Sequence, residues 1–173
     1  MIIEFANVSV HPKVYELKFA PSEIDLELDD VTVNGETTFN GNAVRKGDEV
    51  VVSGNIATSV ESICVRCLEK VDSQIAIEFA DRFADRFVES AEDAPTELSL
   101  DADDLDVGYV YDGKIDLMEV VREQIILALP EQVFCSKNCQ GLCPKCGSNR
   151  NLIDCKCIEA EVDPRWSALK SLK

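Results

Sequence analysis

Apolar and polar positions alternate through most of the first eighty residues, and a period of two predicts strands. Val14, Leu17 and Phe19 open the pattern. Ile24-Asp25-Leu26-Glu27-Leu28 alternates apolar with acidic residues as a half-buried strand does. Asn34-Gly35, between VTV and ETTF, predicts a two-residue hairpin turn, because a type I′ turn needs positive φ at both central residues. Residues 50–52, 56–63 and 71–79 continue the series, divided by turn-like segments at Lys46-Gly47-Asp48, at Ser53-Gly54 and around Cys64. Such closely spaced strands predict an antiparallel barrel-like or curled sheet.

The period changes at IDLMEVVREQIILAL, which predicts a helix over 115–129. Asp116 is placed to cap it, with Glu119 three residues on and Ile115 stapling against Val120. Pro130 stops it, and Leu117, Val121, Ile125 and Ala128 share the face that would pack on the sheet. A second, short helix is expected from Asp163-Pro164, carrying Trp166, Leu169 and Leu172. The expected fold is therefore α+β: a β-rich body over 1–130 with one packed helix, then a C-terminal cysteine-rich zinc module over 131–173.

At 173 residues the chain is long enough for a core of its own, so a metal is needed to hold only part of it. Its start, MIIEFANVSVHPK, lacks a basic n-region and a small-residue cleavage site, and no run reaches the roughly 18 apolar residues of a membrane span. A cytoplasmic protein without membrane or small-molecule partners is expected. With 17 Lys and Arg against 33 Asp and Glu, the net charge is −16, which repels phosphate and favours basic protein partners. The charge is uneven. Residues 130–173 carry seven bases and five acids, so nucleic-acid contact would fall to Lys145, Arg150, Lys156 and Arg165. Residues 89–106 carry eight acids and no base, and read as a solvated acidic loop or a docking segment for a basic partner.

Eight cysteines change the picture most. Cys143-Pro-Lys-Cys146-Gly147 has the form of a zinc knuckle: two thiolates on a tight turn, with glycine permitting the backbone bend beneath them. Cys155-Lys-Cys157 lies close enough to complete a local four-cysteine site. Cys135 and Cys139 then remain, with Cys64-Val-Arg-Cys67 far upstream between two strands, and these four are expected to form a second site. All-cysteine sites are normally structural, so two structural zincs are expected. A redox dithiol and an iron–sulfur cluster are the alternatives, since both also use clustered thiols in a reduced compartment. His11 is the only histidine, and no nucleotide-binding loop or nucleophile elbow is present. A non-enzyme is expected, with no catalytic residue.

CVRCLE at 64–69, IDLMEVVREQIILALP at 115–130, the CxxxCxGLCPxCGxNxN pattern at 135–151 and DPRWSALKSLK at 163–173 together resemble the bacterial and plastid YceD family, the large ribosomal RNA subunit accumulation proteins. The resemblance implies a non-catalytic factor in the synthesis, processing or accumulation of large-subunit ribosomal RNA, working on the pre-ribosomal large subunit, its basic proteins or its RNA. By the same resemblance, Cys64, Cys67, Cys135 and Cys139 match pairs shared by the family's body. Cys143, Cys146, Cys155 and Cys157 match the extra module of its cysteine-rich branch. Arg150-Asn151-Leu152 departs from the pattern, which leads one to expect leucine before the asparagine.

Overall fold

The computed structural model describes residues 1–85, 106–110 and 112–157. The acidic stretch 89–106, except Asp106, and the helix expected at 163–173 lie outside the described residues. The elements are β1 (Ile2–Glu4), β2 (Lys13–Phe19), β3 (Val31–Val33), β4 (Thr37–Lys46), β5 (Glu49–Ile63), β6 (Lys70–Asp85), β7 (Val107–Val110), β8 (Lys114–Asp116) and α1 (Leu117–Ala128). Mostly sheet with one helix, the described chain is α+β. It divides into two units: Met1–Ser62 with Asp72–Glu131, and Ile63–Val71 with the chain from Gln132 onward.

In the first unit the sheet runs β2-β4-β5-β6-β7, with β3 also paired to β5. Among the described residues it is an open sheet that does not close into a barrel. β5 is its spine. Ser53-Gly54 does not break the strand, as the sequence suggested. Gly54 lies opposite Gly41 in the ladder, and Phe39, fully buried, covers both. A Cβ at Gly54 would stand 2.6 Å from the Cα of Gly41 and 2.9 Å from the Phe39 ring, so the glycine pair permits a close approach of the two strands beneath the ring rather than a turn.

The expected Asn34-Gly35 hairpin is also corrected. Neither residue has positive φ, and β3 pairs with residues 60–62 of β5 instead of with β4. Because β4 already pairs with residues 49–57, β3 and β4 lie end to end along one long strand. The Asn34 N–H donates to the Ser59 carbonyl at 3.0 Å and the Asn34 Oδ1 accepts from the Ser59 hydroxyl at 2.6 Å, which fixes the jog between them. The true hairpin is β4–β5, turning at Gly47 with φ +63°.

Ile24 and Leu26 are buried as their alternation predicts, but residues 24–28 form no strand. Asp25 Oδ1 accepts from the Glu27 N–H at 2.9 Å and Glu27 adopts φ +56°, so a local side-chain turn replaces the ladder. The sheet is also not wholly antiparallel: β7 runs parallel to β6, Arg82 opposite Val107. A parallel return needs a connection of about a dozen residues or more, which the chain between Asp85 and Val107 supplies.

α1 is capped by Asp116, whose carboxylate accepts from the Met118 N–H at 3.0 Å. Glu119 does not reach back to close a capping box; it pairs with Arg122 at 2.7 Å. Ile115 belongs to β8, which pairs with β1. Leu117, Val120, Val121 and Ile125 are buried, each stabilising the unit by roughly 1.5–3 kcal/mol, whereas Ala128 is exposed and lies off that face. These side chains join Phe39, Val50, Val52, Ile56, Val60 and Phe79 in one core.

Candidate metal centres

The second unit is built around sulfur. One buried cluster in it is formed by Cys64, Cys67 and Cys139, with Val71 and Leu142 against them. The eight cysteines gather into two groups, Cys64, Cys67, Cys135, Cys139 and Cys143, Cys146, Cys155, Cys157, with the four Sγ atoms of each within 4.8 Å of one another. None is in a disulfide.

Two loops of one design carry the first pair of each group. In CVRCLE the Cys64 N–H donates to the Glu69 carbonyl at 2.9 Å and the Leu68 N–H donates to the Cys64 carbonyl at 2.9 Å. In CPKCGS the Cys143 N–H donates to the Ser148 carbonyl at 2.8 Å and the Gly147 N–H donates to the Cys143 carbonyl at 2.8 Å. Backbone amides inside each loop then face the first sulfur. Those of Cys67 and Arg66 favour the Cys64 thiolate, and those of Cys146 and Lys145 favour the Cys143 thiolate. The strands on either side bring Cys64 and Cys67 to one short loop, and the local sequence does the rest.

Side chains that the cysteine pattern did not single out steady the ligands, and one of them, Asn151, ties the two groups together. Asn151 Nδ2 donates to Cys139 Sγ at 3.4 Å while its Oδ1 accepts from the Gln140 N–H at 2.8 Å, so a residue between the ligands of one group orients a ligand of the other. Arg66 donates to the Cys139 carbonyl at 3.1 Å and lies 4.6 Å from the Phe134 ring centroid. Ser148 Oγ is 2.7 Å from Cys146 Sγ. Nothing in the spacing of Asn149 and Asn151 along the chain marked the contact with Cys139.

The shifts divide evenly, two down and two up in each group. Burial pushes the Cys64 thiol up, but amides of Cys135, Cys67 and Arg66 outweigh it and hold its pKa down at about 6. The Glu69 amide draws Cys67 down, yet burial and the neighbouring thiols push it up to about 12. Cys139 is held low against burial by Asn151 and the Gly141 amide. Cys135 is raised: Cys67 draws it down, and Cys139 and burial outweigh that. In the other group the Cys146 and Lys145 amides hold Cys143 low, and Ser148 draws Cys146 down to about 6. Cys143 pushes Cys155 up, and Cys146 pushes Cys157 up to about 12. In each group two thiols are thus drawn down and two pushed up, and a bound divalent cation would displace the protons that remain. Sγ separations of 3.9 Å for Cys64 to Cys139 and 3.5 Å for Cys67 to Cys135 bracket the ~3.8 Å edge of a tetrahedron with Zn–S bonds of about 2.3 Å. The residues fit a tetrahedral thiolate-bound ion.

Lys145, Arg150 and Lys156 are exposed around the second group. Arg165 lies outside the described residues, and His11 is exposed and far in sequence from either group.

Fold and sites define a class: a small α+β protein with an open sheet and twin four-cysteine centres. Residues 52–173 match the family model described as Large ribosomal RNA subunit accumulation protein YceD, and the chain belongs to that family. An uncharacterised protein of Mycobacterium tuberculosis is 28% identical over 180 residues, covering 98% of this chain and 79% of that protein. YlbN of Bacillus subtilis, also uncharacterised, is 38% identical over 73 residues, 42% of each chain. A chloroplastic large ribosomal RNA subunit accumulation protein of Zea mays is 26% identical over 138 residues, covering 68% of this chain and 47% of its own. No solved structure matches the chain.

Proposed function

We propose that the protein is a non-catalytic, zinc-stabilised factor in large ribosomal subunit biogenesis, supporting the accumulation of large-subunit ribosomal RNA by binding ribosomal proteins or that RNA. The observation that carries the reading is the family match, which spans both four-cysteine groups. Zinc is supported by the all-thiolate donor sets and their separations, because four sulfurs within 4.8 Å enclose one ion and leave no space for several irons. The metal holds the second unit in shape, joining Ile63–Val71 to the chain beyond Gln132. The reading places the protein in the cytoplasm, where it would meet large subunits as they are assembled. Among the described residues no helix is long and apolar enough to cross a membrane.

The charge division suggests how it would bind. A net charge of −16 suits basic ribosomal proteins by electrostatic complementarity, while exposed Lys145, Arg150 and Lys156 offer contacts to phosphate. Sedimentation of lysates at low salt, with affinity capture of the tagged protein, tests the reading: co-migration with large-subunit precursors or their proteins is expected. A protein that stays at the top of the gradient and captures neither ribosomal proteins nor ribosomal RNA contradicts it.

A further inference from the structure

The two centres are unequally protected. In the first, Cys64, Cys67 and Cys139 are 0%, 3% and 4% exposed, and only Cys135 is open to solvent. In the second, Cys143 alone is buried; Cys155 is half-buried and Cys146 and Cys157 are exposed.

Their tethers differ as well. The segments bearing the first group are cross-tied by hydrogen bonds from the Val65 N–H to the Val133 carbonyl, from the Leu142 N–H to the Arg66 carbonyl and from the Arg66 guanidinium to the Cys139 carbonyl. Among the described residues, the backbone bonds of the Cys155-Lys156-Cys157 arm run only from the Cys155 N–H to the Ile153 carbonyl and from the Cys157 N–H to the Cys155 carbonyl. The first ends on Ile153, whose own N–H donates to the Asn149 carbonyl at 3.0 Å, so among the described residues no backbone bond runs from the arm itself to the knuckle. A shared ion would complete the tie, so the thiolates of this arm are the ones that can swing out and be attacked.

We propose that the second centre is also a modification site, at which hydroperoxides oxidise Cys146 and Cys157 together to a disulfide while the first centre stays closed. The inference rests on the zinc reading above. Both sulfurs are exposed and lie within the 4.8 Å of their group. One thiolate attacks the peroxide, whose O–O bond breaks, giving a sulfenic acid and releasing water or an alcohol after proton uptake from solvent. The second thiolate attacks the sulfenic sulfur, forming the S–S bond and releasing hydroxide, which solvent protonates. Two sulfurs lose two electrons, and the peroxide gains them. The ion, left with two of its four ligands, is released.

Wild-type protein loaded with zinc and treated with hydrogen peroxide in the presence of a chromogenic chelator tests this, with disulfides mapped by peptide mass spectrometry at each time point. One equivalent is expected to leave about tenfold faster than the other, together with a Cys146–Cys157 cross-link. Release of both equivalents at one rate, or a first disulfide between any other pair, overturns the proposal while leaving the zinc reading intact. Protein that takes up no zinc overturns both.

Discussion

Leu68 and Gly147 occupy the same position in two copies of one loop. Each donates its N–H to the carbonyl of the cysteine four residues earlier, and each adopts a left-handed backbone, φ +62° for Leu68 and φ +72° for Gly147. Only the glycine is at ease there. Leucine in this region costs roughly 1–2 kcal/mol, and the Leu68 side chain, 63% exposed, recovers little of it by burial. Gly147→Leu is therefore expected to destabilise the second unit by about 1–2 kcal/mol, whereas Leu68→Gly is expected to be neutral or stabilising by up to about 1 kcal/mol. Thermal denaturation of the two zinc-loaded variants checks the asymmetry.

Asn151 donates to Cys139 Sγ, so it orients a ligand without being one. Asn151→Ala is expected to weaken metal binding at the first centre by about tenfold or more while leaving the second centre's own ligands in place. Competition against a chelator of known affinity measures it. Equal affinity in variant and wild type would show that the contact does not act on the metal.

A Cβ added at Gly41 would lie 2.3 Å from the Ser53 carbonyl oxygen and 2.6 Å from the Phe39 ring. Gly41→Ala is expected to cost about 1–3 kcal/mol in urea denaturation. Because the closest contact is backbone, Phe39→Ala in the same chain should not restore the loss. Recovery in the double variant would mean that the ring, not the strand spacing, demands the glycine.

Burial raises the pKa of Asp81, against a partly offsetting hydrogen bond from Gln124 at 2.9 Å. A carboxyl with a folded-state pKa above its unfolded value binds its proton more tightly when folded. Its charged form therefore weakens the fold at neutral pH, and the loss is recovered as pH falls through the raised value. Asp81→Asn is expected to raise the urea midpoint at neutral pH, with an advantage over wild type that shrinks on acidification. An advantage that is constant with pH would assign it to packing instead.

Much of the second unit could be read from the chain because metal-ligand chemistry is local: CxxC spacing states which sulfurs can share a turn. The structure gathers the eight cysteines into the same two groups of four that spacing suggested. The sheet was harder. Asn34-Gly35 carries a strong local turn signal, but the choice of partner lay with β5, long enough to pair with β3 and β4 in succession. Gly54 looked like a break because what it makes room for, the backbone of Asn40 and Gly41 beneath Phe39, lies on another strand. Burial of Ile24 and Leu26 was legible, whereas the missing ladder depended on one Asp25 side-chain bond. β1 and β8, three residues each, are too short to show a period. Asn151 was hidden because its contact crosses from one cysteine group to the other.

The pairing of Cys64 and Cys67 with Cys139 and Cys135 spans 75 and 68 residues of chain, and the proposed structural role of the metal rests on it. Native mass spectrometry of zinc-loaded wild type and Cys64→Ser tests it most directly. Two zincs in the wild type and one in the variant, with the remaining ion at Cys143, Cys146, Cys155 and Cys157, are the predicted result. Two zincs held with wild-type affinity in Cys64→Ser would contradict it.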